Sequence, residues 1–224
     1  MPANRIVKVA AIAALVILPI AGIFIFGRAQ WVHKELPYIG EDSPGSNGKT
    51  IHHTVGDIVL TDQNGKTFHL KDLDADIIVA NIFFATCENV CPEMNNQVQT
   101  VAGQFRKFPK VRFVSISIDP ITDSVPVLKK YAQRFNADSL KWQMCTGSKS
   151  EIYDWVHHDL LLANEQKNAD FIHDDKIVLI DRNRHIRAIL PTRGNSMTEK
   201  YKAYKRIDDD LNNLLYEYRK EKLD

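Results

Sequence analysis

Two cysteines four positions apart, Cys87 and Cys91, are the side chains of this 224-residue chain whose types and spacing best suit chemistry. They lie in the segment TCENVCP, residues 86–92. Thiolates bind soft metal ions, and two neighbouring thiols can also be oxidised to a disulfide. The chain has three cysteines in total, too few for a disulfide scaffold, so this pair is where we expect the reactive site.

The number of available sulfur atoms restricts the choice of metal. Three residues separate the two cysteines, whereas thioredoxin-type redox pairs have two residues between them. Zinc and iron–sulfur sites need four ligands, and the chain has no second cysteine pair. Copper accepts fewer ligands, and both thiolate and imidazole suit it. The pattern therefore favours copper, with two ordinary buried cysteines or an inert structural disulfide as the alternatives.

A predicted strand and a predicted helix place this pair at the edge of a sheet. Residues 77–85 form a continuous apolar run of strand length, and apolar residues recur at helical spacing from Met94 onward. Sites in open α/β sheets lie at the carboxyl ends of such strands. Pro92 is predicted at the first helical position, which puts Cys91 at the helix N-terminus. The free amides and the helix dipole there predict a lowered pKa for the Cys91 thiol.

Eight histidines compete to supply a third ligand. His173 lies in the loop DFIHDD, residues 170–175, which leads directly into a predicted strand at residues 176–180, and it is our leading candidate. Residue types alone leave this choice open. The other histidines lie in or before the first hairpin, in one helix, in a polar turn and in a Pro- and Gly-rich stretch (His52, His53, His69, His157, His158, His185 and His33).

The remaining elements predict one three-layer α/β domain over residues 50–224. Asn64-Gly65 lies between two short alternating runs, which predicts an N-terminal β-hairpin. Residues 77–85 and 111–118, with the helix between them, predict a βαβ unit in a mostly parallel sheet. Further helices are predicted at 125–135, 148–160 (with a Ser148–Glu151 capping box) and 199–220, and a late hairpin at 176–180 and 186–190.

The first 49 residues predict a membrane anchor followed by a stalk. Residues 9–26 (VAAIAALVILPIAGIFIF) contain no charged residue and would extend about 27 Å as a helix, just enough to cross a bilayer core. We assign the anchor to residues 1–28 and a flexible stalk, rich in Pro and Gly, to residues 29–49. A cleaved signal peptide is the alternative, but no small-x-small cleavage site follows the run. We expect a single-pass protein of the cytoplasmic (inner) membrane whose C-terminal domain faces the periplasm.

Composition and charge argue against two classes of protein. The chain is 44% hydrophobic and 25% charged, which is typical of globular proteins and excludes wholesale disorder. Its 29 Lys and Arg nearly balance its 28 Asp and Glu, giving a formal net charge of +1. A nucleic-acid-binding protein would need a net basic surface, so we expect no nucleic-acid partner.

Several ordered motifs resemble the Sco/SenC family. They are TCENVCP after a strand, SISIDP at residues 115–120, WQMCTG at residues 142–147, and His173 before IVLID at residues 177–181. Members of that family are membrane-anchored copper proteins with a thioredoxin-like fold that assist assembly of the binuclear copper centre of cytochrome c oxidase. The resemblance covers roughly residues 50–190. It implies for this chain the same fold and a bound copper ion, Cu(I) or Cu(II).

Carried over position by position, the resemblance makes Cys87 and Cys91 the sulfur ligands and His173 the imidazole ligand. Asp119 matches the acidic residue after the second strand, which is expected to tune the site without binding the ion. The chain departs from the family pattern in three places: Glu88 stands where the family usually has proline, Cys145 where it has an apolar residue, and Asp174 where it often has serine.

These expectations favour a metallochaperone over an enzyme. It would hold one copper ion through Cys87, Cys91 and His173 and deliver it to the copper-bearing subunit of cytochrome c oxidase or to another copper chaperone. The alternative is a membrane-tethered thiol–disulfide oxidoreductase in which Cys87 and Cys91 are the catalytic redox pair. That enzyme would not need His173, so the two hypotheses differ at this residue. A third hypothesis, a copper or redox sensor that docks to a partner, is also compatible with the sequence.

Overall fold

The computed structural model describes residues 3–29, 33–46, 48–88, 90–162, 175–194 and 196–222. The chain divides into two compact units, Met1–Glu35 and Leu36–Asp224. The first unit contains helix α1 (Ala3–Ala29), which is 27 residues long and has Pro19 inside it. No helix in the described part of the chain has both the length and the apolar character needed to cross a membrane, so the transmembrane helix predicted over residues 9–26 is not confirmed.

A seven-stranded sheet forms the centre of the second unit. Its strands are β3 (Val59–Asp62), β4 (Thr67–His69), β5 (Ile77–Phe83), β6 (Val111–Ser117), β7 (Trp142–Thr146), β8 (Lys176–Asp181) and β9 (Ile186–Pro191), preceded by a two-stranded ribbon of β1 (Ser43–Pro44) and β2 (Thr50–Ile51). The order across the large sheet is β4-β3-β7-β6-β5-β8-β9.

Three parallel strands lie at the middle of the sheet. β5 pairs with β6, and β6 pairs with β7, as the predicted βαβ unit requires. All residues of β5 are buried, which is expected of a strand covered on both faces. The pairings of β3, β4, β8 and β9 are antiparallel, so the prediction of a mostly parallel sheet is wrong. Short turns account for the pairings of β3 with β4 and of β8 with β9, because a short turn can join only antiparallel strands. In addition, each hairpin joins the parallel strands through an antiparallel pairing, β3 with β7 and β8 with β5.

The predicted N-terminal hairpin is confirmed as β3 and β4. Gly65 has φ +82° in its turn, a left-handed conformation that glycine adopts readily because it has no Cβ. Asp62 Oδ1 accepts the N–H groups of Asn64 at 2.8 Å and Lys66 at 3.0 Å. The hairpin then joins the sheet because β3 pairs antiparallel with β7.

The helices of the second unit lie close to their predicted positions. They are α2 (Val90–Gln104), α3 (Val125–Arg134), α4 (Lys149–His158) and α5 (Met197–Lys220). The capping box predicted at the start of α4 does not form, because the Ser148 hydroxyl contacts that of Ser150 at 3.1 Å and caps no backbone N–H. At the start of α5, by contrast, the Ser196 hydroxyl accepts the N–H of Glu199.

The segment from Leu36 onward packs onto the domain, although residues 29–49 were predicted to be a flexible stalk. Leu36 is buried, its N–H donates to Glu217 Oε1 at 3.0 Å, and its carbonyl accepts a hydrogen bond from Arg187 Nη2 at 2.6 Å. Arg187 is also buried, and its Nε donates to the carbonyl of Pro37 at 3.2 Å. A buried guanidinium needs several acceptors, and this segment supplies two of them. The folded unit therefore begins at Leu36.

Candidate metal centre

The two cysteines lie where β5 ends and α2 begins. The carbonyl of Phe83, the last residue of β5, accepts the N–H of Ile118 at 2.9 Å, so the chain that leaves β5 runs beside the chain that leaves β6. The N–H of Cys87 donates to the carbonyl of Phe84 at 3.2 Å and closes a turn. Cys91 is the second residue of α2, and its N–H donates to the Sγ of Cys87 at 3.3 Å. One sulfur therefore caps the start of the helix that carries the other.

Burial controls the acidity of the Cys91 thiol. Cys87 and Cys91 are 7% and 5% exposed, and all three cysteines of the chain are thiols. Burial is the largest effect and, together with the hydrogen bond to the Cys87 thiol, raises the pKa of Cys91 to about 12. The prediction of a lowered pKa at the helix start is therefore wrong. α2 begins at Val90, so Pro92 occupies the third helical position rather than the predicted first.

A buried carboxylate, Asp123, fixes the loop that carries Cys87. Its Oδ2 accepts the N–H of Ala85 at 2.9 Å and the hydroxyl of Ser117 at 2.5 Å, and the side chain is fully buried. Burial raises the pKa of the Asp123 carboxyl. Through these two hydrogen bonds, Asp123 links the loop after β5 to the end of β6. Sequence reasoning missed this residue, for which the only signal was a second acidic residue four positions after Asp119.

Asp119, the residue predicted to tune the site, lies in the same loop after β6. It is 8% exposed, and its N–H donates to the Ser117 hydroxyl at 3.1 Å. Its carbonyl accepts the N–H of Asp123 at 2.9 Å, and its Oδ1 accepts the N–H of Thr122 at 3.5 Å. These contacts shape the loop that presents Asp123 to the cysteine segment. The role of Asp119 toward a metal ion stays a prediction.

A chain of buried polar side chains connects β7, β6, β5, α2 and α3. Trp142 Nε1 donates to Ser115 Oγ at 2.8 Å, and Ser115 Oγ donates to Asn81 Oδ1 at 2.6 Å. Asn81 Nδ2 donates to Asn95 Oδ1 at 3.3 Å, and Asn95 Nδ2 donates to Tyr131 Oη at 3.1 Å. Each of these side chains is buried. We call this set the polar chain; the sequence did not predict it, because a pattern of apolar strands does not say which buried polar residues meet.

His173, the predicted imidazole ligand, lies outside the described residues, so its position stays a prediction. Among the residues that the structure does describe, no group of three or more His, Cys, Asp or Glu side chains could hold a metal ion. Cys145 is completely buried in β7, and burial raises the pKa of its thiol. Three other histidines have partners away from the cysteines: His52 with Asp42, His53 with the carbonyl of Asp159, and His69 with Asp57.

The sulfur pair has the chemistry of a soft-metal site. The Cys91 thiol hydrogen-bonds to the Cys87 thiol, so both sulfurs can contact one ion once their protons have left. Thiolates of this kind suit Cu(I), and two of them leave room for a third ligand. A zinc site would need two further ligands beside Cys87 and Cys91. Two thiolates with room for a third ligand fit copper.

Comparison with protein families and curated proteins gives a consistent assignment. A family model described as SCO1/SenC matches residues 47–207. The SCO1 protein homolog of Bacillus subtilis is 29% identical over 108 residues, which is 47% of this chain and 56% of that protein. The SCO2-like protein of Rickettsia felis is 31% identical over 98 residues, 43% of this chain and 46% of that protein. The chain thus spans about half the length of the curated relatives that it matches.

Solved structures show the same fold. A SCO1/SenC family lipoprotein from Bacillus anthracis has a TM-score of 0.62 and 28% identity, covering 73% of this chain and 95% of that one. BsSco, a member of the Sco family of cytochrome c oxidase assembly proteins, has a TM-score of 0.60 and 23% identity, covering 72% of this chain and 93% of BsSco. Yeast Sco1 with copper bound has a TM-score of 0.53 and 20% identity, covering 70% of this chain and 89% of the yeast chain. These likenesses support the predicted thioredoxin-like α/β fold. With the family match extending over residues 47–207, this chain belongs to the SCO1/SenC family.

Proposed function

We propose that the chain is a copper chaperone. It binds one copper ion through Cys87, Cys91 and His173 and helps to deliver it to the binuclear copper centre of cytochrome c oxidase. The observation that carries the proposal is the contact between two buried thiols at the start of α2, in a chain of the SCO1/SenC family. Support also comes from yeast Sco1, which holds copper, and from BsSco, which belongs to a family of oxidase assembly proteins.

Copper is the cargo of this function, and the residues around it decide how it is held and released. Cys87 and Cys91 bind as thiolates, so binding releases their protons and weakens as the pH falls. The N–H of Cys91 donates to the Cys87 sulfur and stabilises negative charge on it. Asp123 holds Ala85 and thereby limits movement of the loop between the strand and the helix. Three ligands leave one position open, so the cysteines of an acceptor can enter before those of the donor leave.

Copper titration of the reduced full-length chain tests the proposal. We expect about one copper per chain, and an affinity loss of about a hundredfold or more for Cys87→Ser, Cys91→Ser and His173→Ala, because each removes a ligand. Cys145→Ala is the matched control, since it removes a thiol that is buried in β7, and it should retain wild-type copper content. Metal analysis and absorption spectra provide the readout. Wild-type binding by either Cys87→Ser or Cys91→Ser would overturn the site.

A second candidate is a thiol–disulfide oxidoreductase that reduces the cysteines of a copper-site protein. The contact between the thiols favours it, because the pair can close to a disulfide with little movement. In one turnover, Cys87 and Cys91 would lose two electrons and two protons to the substrate disulfide and would themselves end as a disulfide. Turnover that survives His173→Ala but not Cys87→Ser would favour this enzyme over the chaperone.

We also propose that residues 9–26 hold the chain in the cytoplasmic membrane, with the domain on the periplasmic side. This part of the proposal rests on the uncharged sequence of residues 9–26 and not on the structure. After a carbonate wash, the full chain should stay in the membrane fraction and a variant lacking residues 1–28 should not. Release of both would contradict it.

A further inference from the structure

The polar chain has a single direction of donation. The indole Nε1 of Trp142 can only donate, so Ser115 Oγ accepts there and its own proton goes to Asn81 Oδ1. The amide hydrogens of Asn81 then face Asn95 Oδ1, and those of Asn95 face Tyr131 Oη. Every link donates toward Tyr131. The phenolic oxygen at the end therefore accepts a hydrogen bond, and its own proton is left for another acceptor.

The polar chain passes through α2 one helical turn after Cys91. Asn95 is four residues after Cys91 in α2, both are buried, and side chains four residues apart on a helix are neighbours. Side chains on a helix also lean toward its N-terminus, which directs Asn95 toward Cys91. Tyr131 Oη lies 3.1 Å from Asn95 Nδ2. Burial is the main cause of the raised pKa of the Tyr131 hydroxyl, and Cys91 and Cys87 contribute to it electrostatically, which indicates that the hydroxyl is near the sulfurs.

The ring of Tyr131 does not need its hydroxyl for placement. It stacks on Phe83 with a centroid distance of 5.1 Å and an interplanar angle of 15°, and it contacts Phe135 at 5.1 Å. Phenylalanine could make the same ring contacts. A buried hydroxyl costs desolvation energy unless it is used in hydrogen bonds. The bond from Asn95 uses the oxygen as an acceptor and leaves the phenolic proton available to an acceptor.

We propose that Tyr131 is a positioning residue of the copper site, whose hydroxyl donates a hydrogen bond to the cysteine sulfurs when they bind copper as thiolates. This inference rests on the proposed copper function and deepens it. A donor to a ligating thiolate draws electron density from the sulfur and stabilises the thiolate against protonation. It thereby raises the energy of the sulfur-to-copper charge-transfer band and strengthens copper binding.

Substitution of Tyr131 in the full-length chain tests this inference. Tyr131→Phe removes one oxygen and keeps the ring, so we expect a folded protein that still binds one copper. Its sulfur-to-Cu(II) absorption band should move to longer wavelength, and its copper affinity should fall about tenfold. Circular dichroism and thermal melting establish folding before the spectra are compared.

A matched variant separates donation at this site from the loss of a buried hydroxyl elsewhere. Tyr218→Phe removes another buried tyrosine hydroxyl, one that bonds to the N–H of Arg182 and the carbonyl of Asp76, and should leave the band unchanged. An equal shift in Tyr218→Phe, or no shift in Tyr131→Phe, would overturn the inference.

A copper-free measurement distinguishes failure of this inference from failure of the proposed function. A hydroxyl that donates to the thiols stabilises the dithiol relative to the disulfide, whose sulfurs are weaker acceptors. Tyr131→Phe should therefore shift the dithiol–disulfide equilibrium, measured against glutathione, about threefold toward the disulfide. If the wild-type chain binds no copper, the proposed function fails, while this shift would still support donation by Tyr131. An unchanged equilibrium would count against that donation.

Discussion

Two opposing effects act on the thiol of Cys91. The start of a helix favours a thiolate by about 0.3–2 kcal/mol. Burial of a side chain that is only 5% exposed acts in the opposite direction and, together with the hydrogen bond to the Cys87 thiol, raises the pKa from 9.0 to about 12. Burial is therefore the larger effect. The metal-free Cys91 is therefore a neutral thiol at neutral pH, and copper must displace its proton.

We predict that Cys91 reacts slowly with iodoacetamide, because only the thiolate reacts. With a pKa of about 12, roughly one molecule in ten thousand is ionised at pH 8. The rate should rise about tenfold for each pH unit between pH 7 and 10, measured by site-resolved mass spectrometry. A peptide cysteine, the control, should level off above its own pKa of about 8.5. If the reaction rate of Cys91 reached a plateau below pH 9, the helix N-terminus would have a larger effect on the pKa of this thiol than burial.

The raised pKa of Cys91 also determines how the stability of the chain changes with pH. Because the folded-state pKa of Cys91 is raised, its contribution to the free energy of unfolding is complete below the unfolded-state pKa and is lost as the pH rises toward 12. The stability of the metal-free chain should therefore fall with alkaline pH at this residue, and Cys91→Ala should show a weaker fall.

Asp123 gives a second test at a single residue. Asp123→Ala leaves the N–H of Ala85 and the hydroxyl of Ser117 without their acceptor, so we predict a loss of about 2–3 kcal/mol in the free energy of unfolding. Asp123→Asn keeps an acceptor oxygen and should lose less than half as much. Asp119→Ala, which removes only a 3.5 Å contact to a backbone N–H, is the control. Urea unfolding measures all three variants. Equal losses of unfolding free energy for Asp123→Ala and Asp119→Ala would contradict the role given to the hydrogen bonds of Asp123 with Ala85 and Ser117.

The secondary structure elements were predictable in proportion to the length of their patterns. β5 and β6 are long apolar runs, and the structure places both within a few residues of their predicted bounds. β7 was not predicted as a strand, because its five residues, WQMCT, are short and include polar side chains. Two of its side chains have partners on β6: Gln143 accepts a hydrogen bond from the half-buried Arg112, and Trp142 donates to the buried Ser115. Long-range contacts of this kind leave no periodic signal in a sequence.

Two glycines in different elements should respond oppositely to alanine. Gly65 turns between β3 and β4 with φ +82°, so Gly65→Ala should cost about 1 kcal/mol of stability. Gly103 lies in helix α2, where an added Cβ meets nothing within 4 Å, so Gly103→Ala should stabilise the chain by up to about 1 kcal/mol. Thermal unfolding of both variants measures the difference. Stabilisation by Gly65→Ala would show that the turn relaxes to another conformation.

For the chain as a whole, the sequence predicted the fold and the cysteine pair but not where the domain begins. Pro and Gly in residues 29–49 are typical of a linker, and this composition contains no sign of Arg187, which lies some 150 residues later and binds the carbonyls of Leu36 and Pro37. For the site, too, the sequence predicted local features but not contacts between distant residues. The spacing of Cys87 and Cys91 indicated the sulfur pair, whereas the contact of Asp123 with the loop that carries Cys87 arises only in the folded chain.

The position of the boundary has a measurable effect. We predict that a fragment of residues 50–224 has a free energy of unfolding about 2–4 kcal/mol lower than a fragment of residues 33–224, because the buried Arg187 loses two carbonyl acceptors. Urea unfolding followed by tryptophan fluorescence compares the two fragments. Equal stability would mean that the segment after Leu36 contributes no net stability.

The contact between Ile39 and β9 bears on how the protein behaves at high concentration. Ile39 donates its N–H to the carbonyl of Ile186, the first residue of β9, at 2.9 Å. β9 is an outermost strand, and open outermost strands recruit strands from other molecules. At the opposite side of the sheet, β4 is only three residues long and offers little backbone to pair with. Loss of this contact would free the backbone of Ile186, lengthen the part of β9 that is open to pairing and favour self-association.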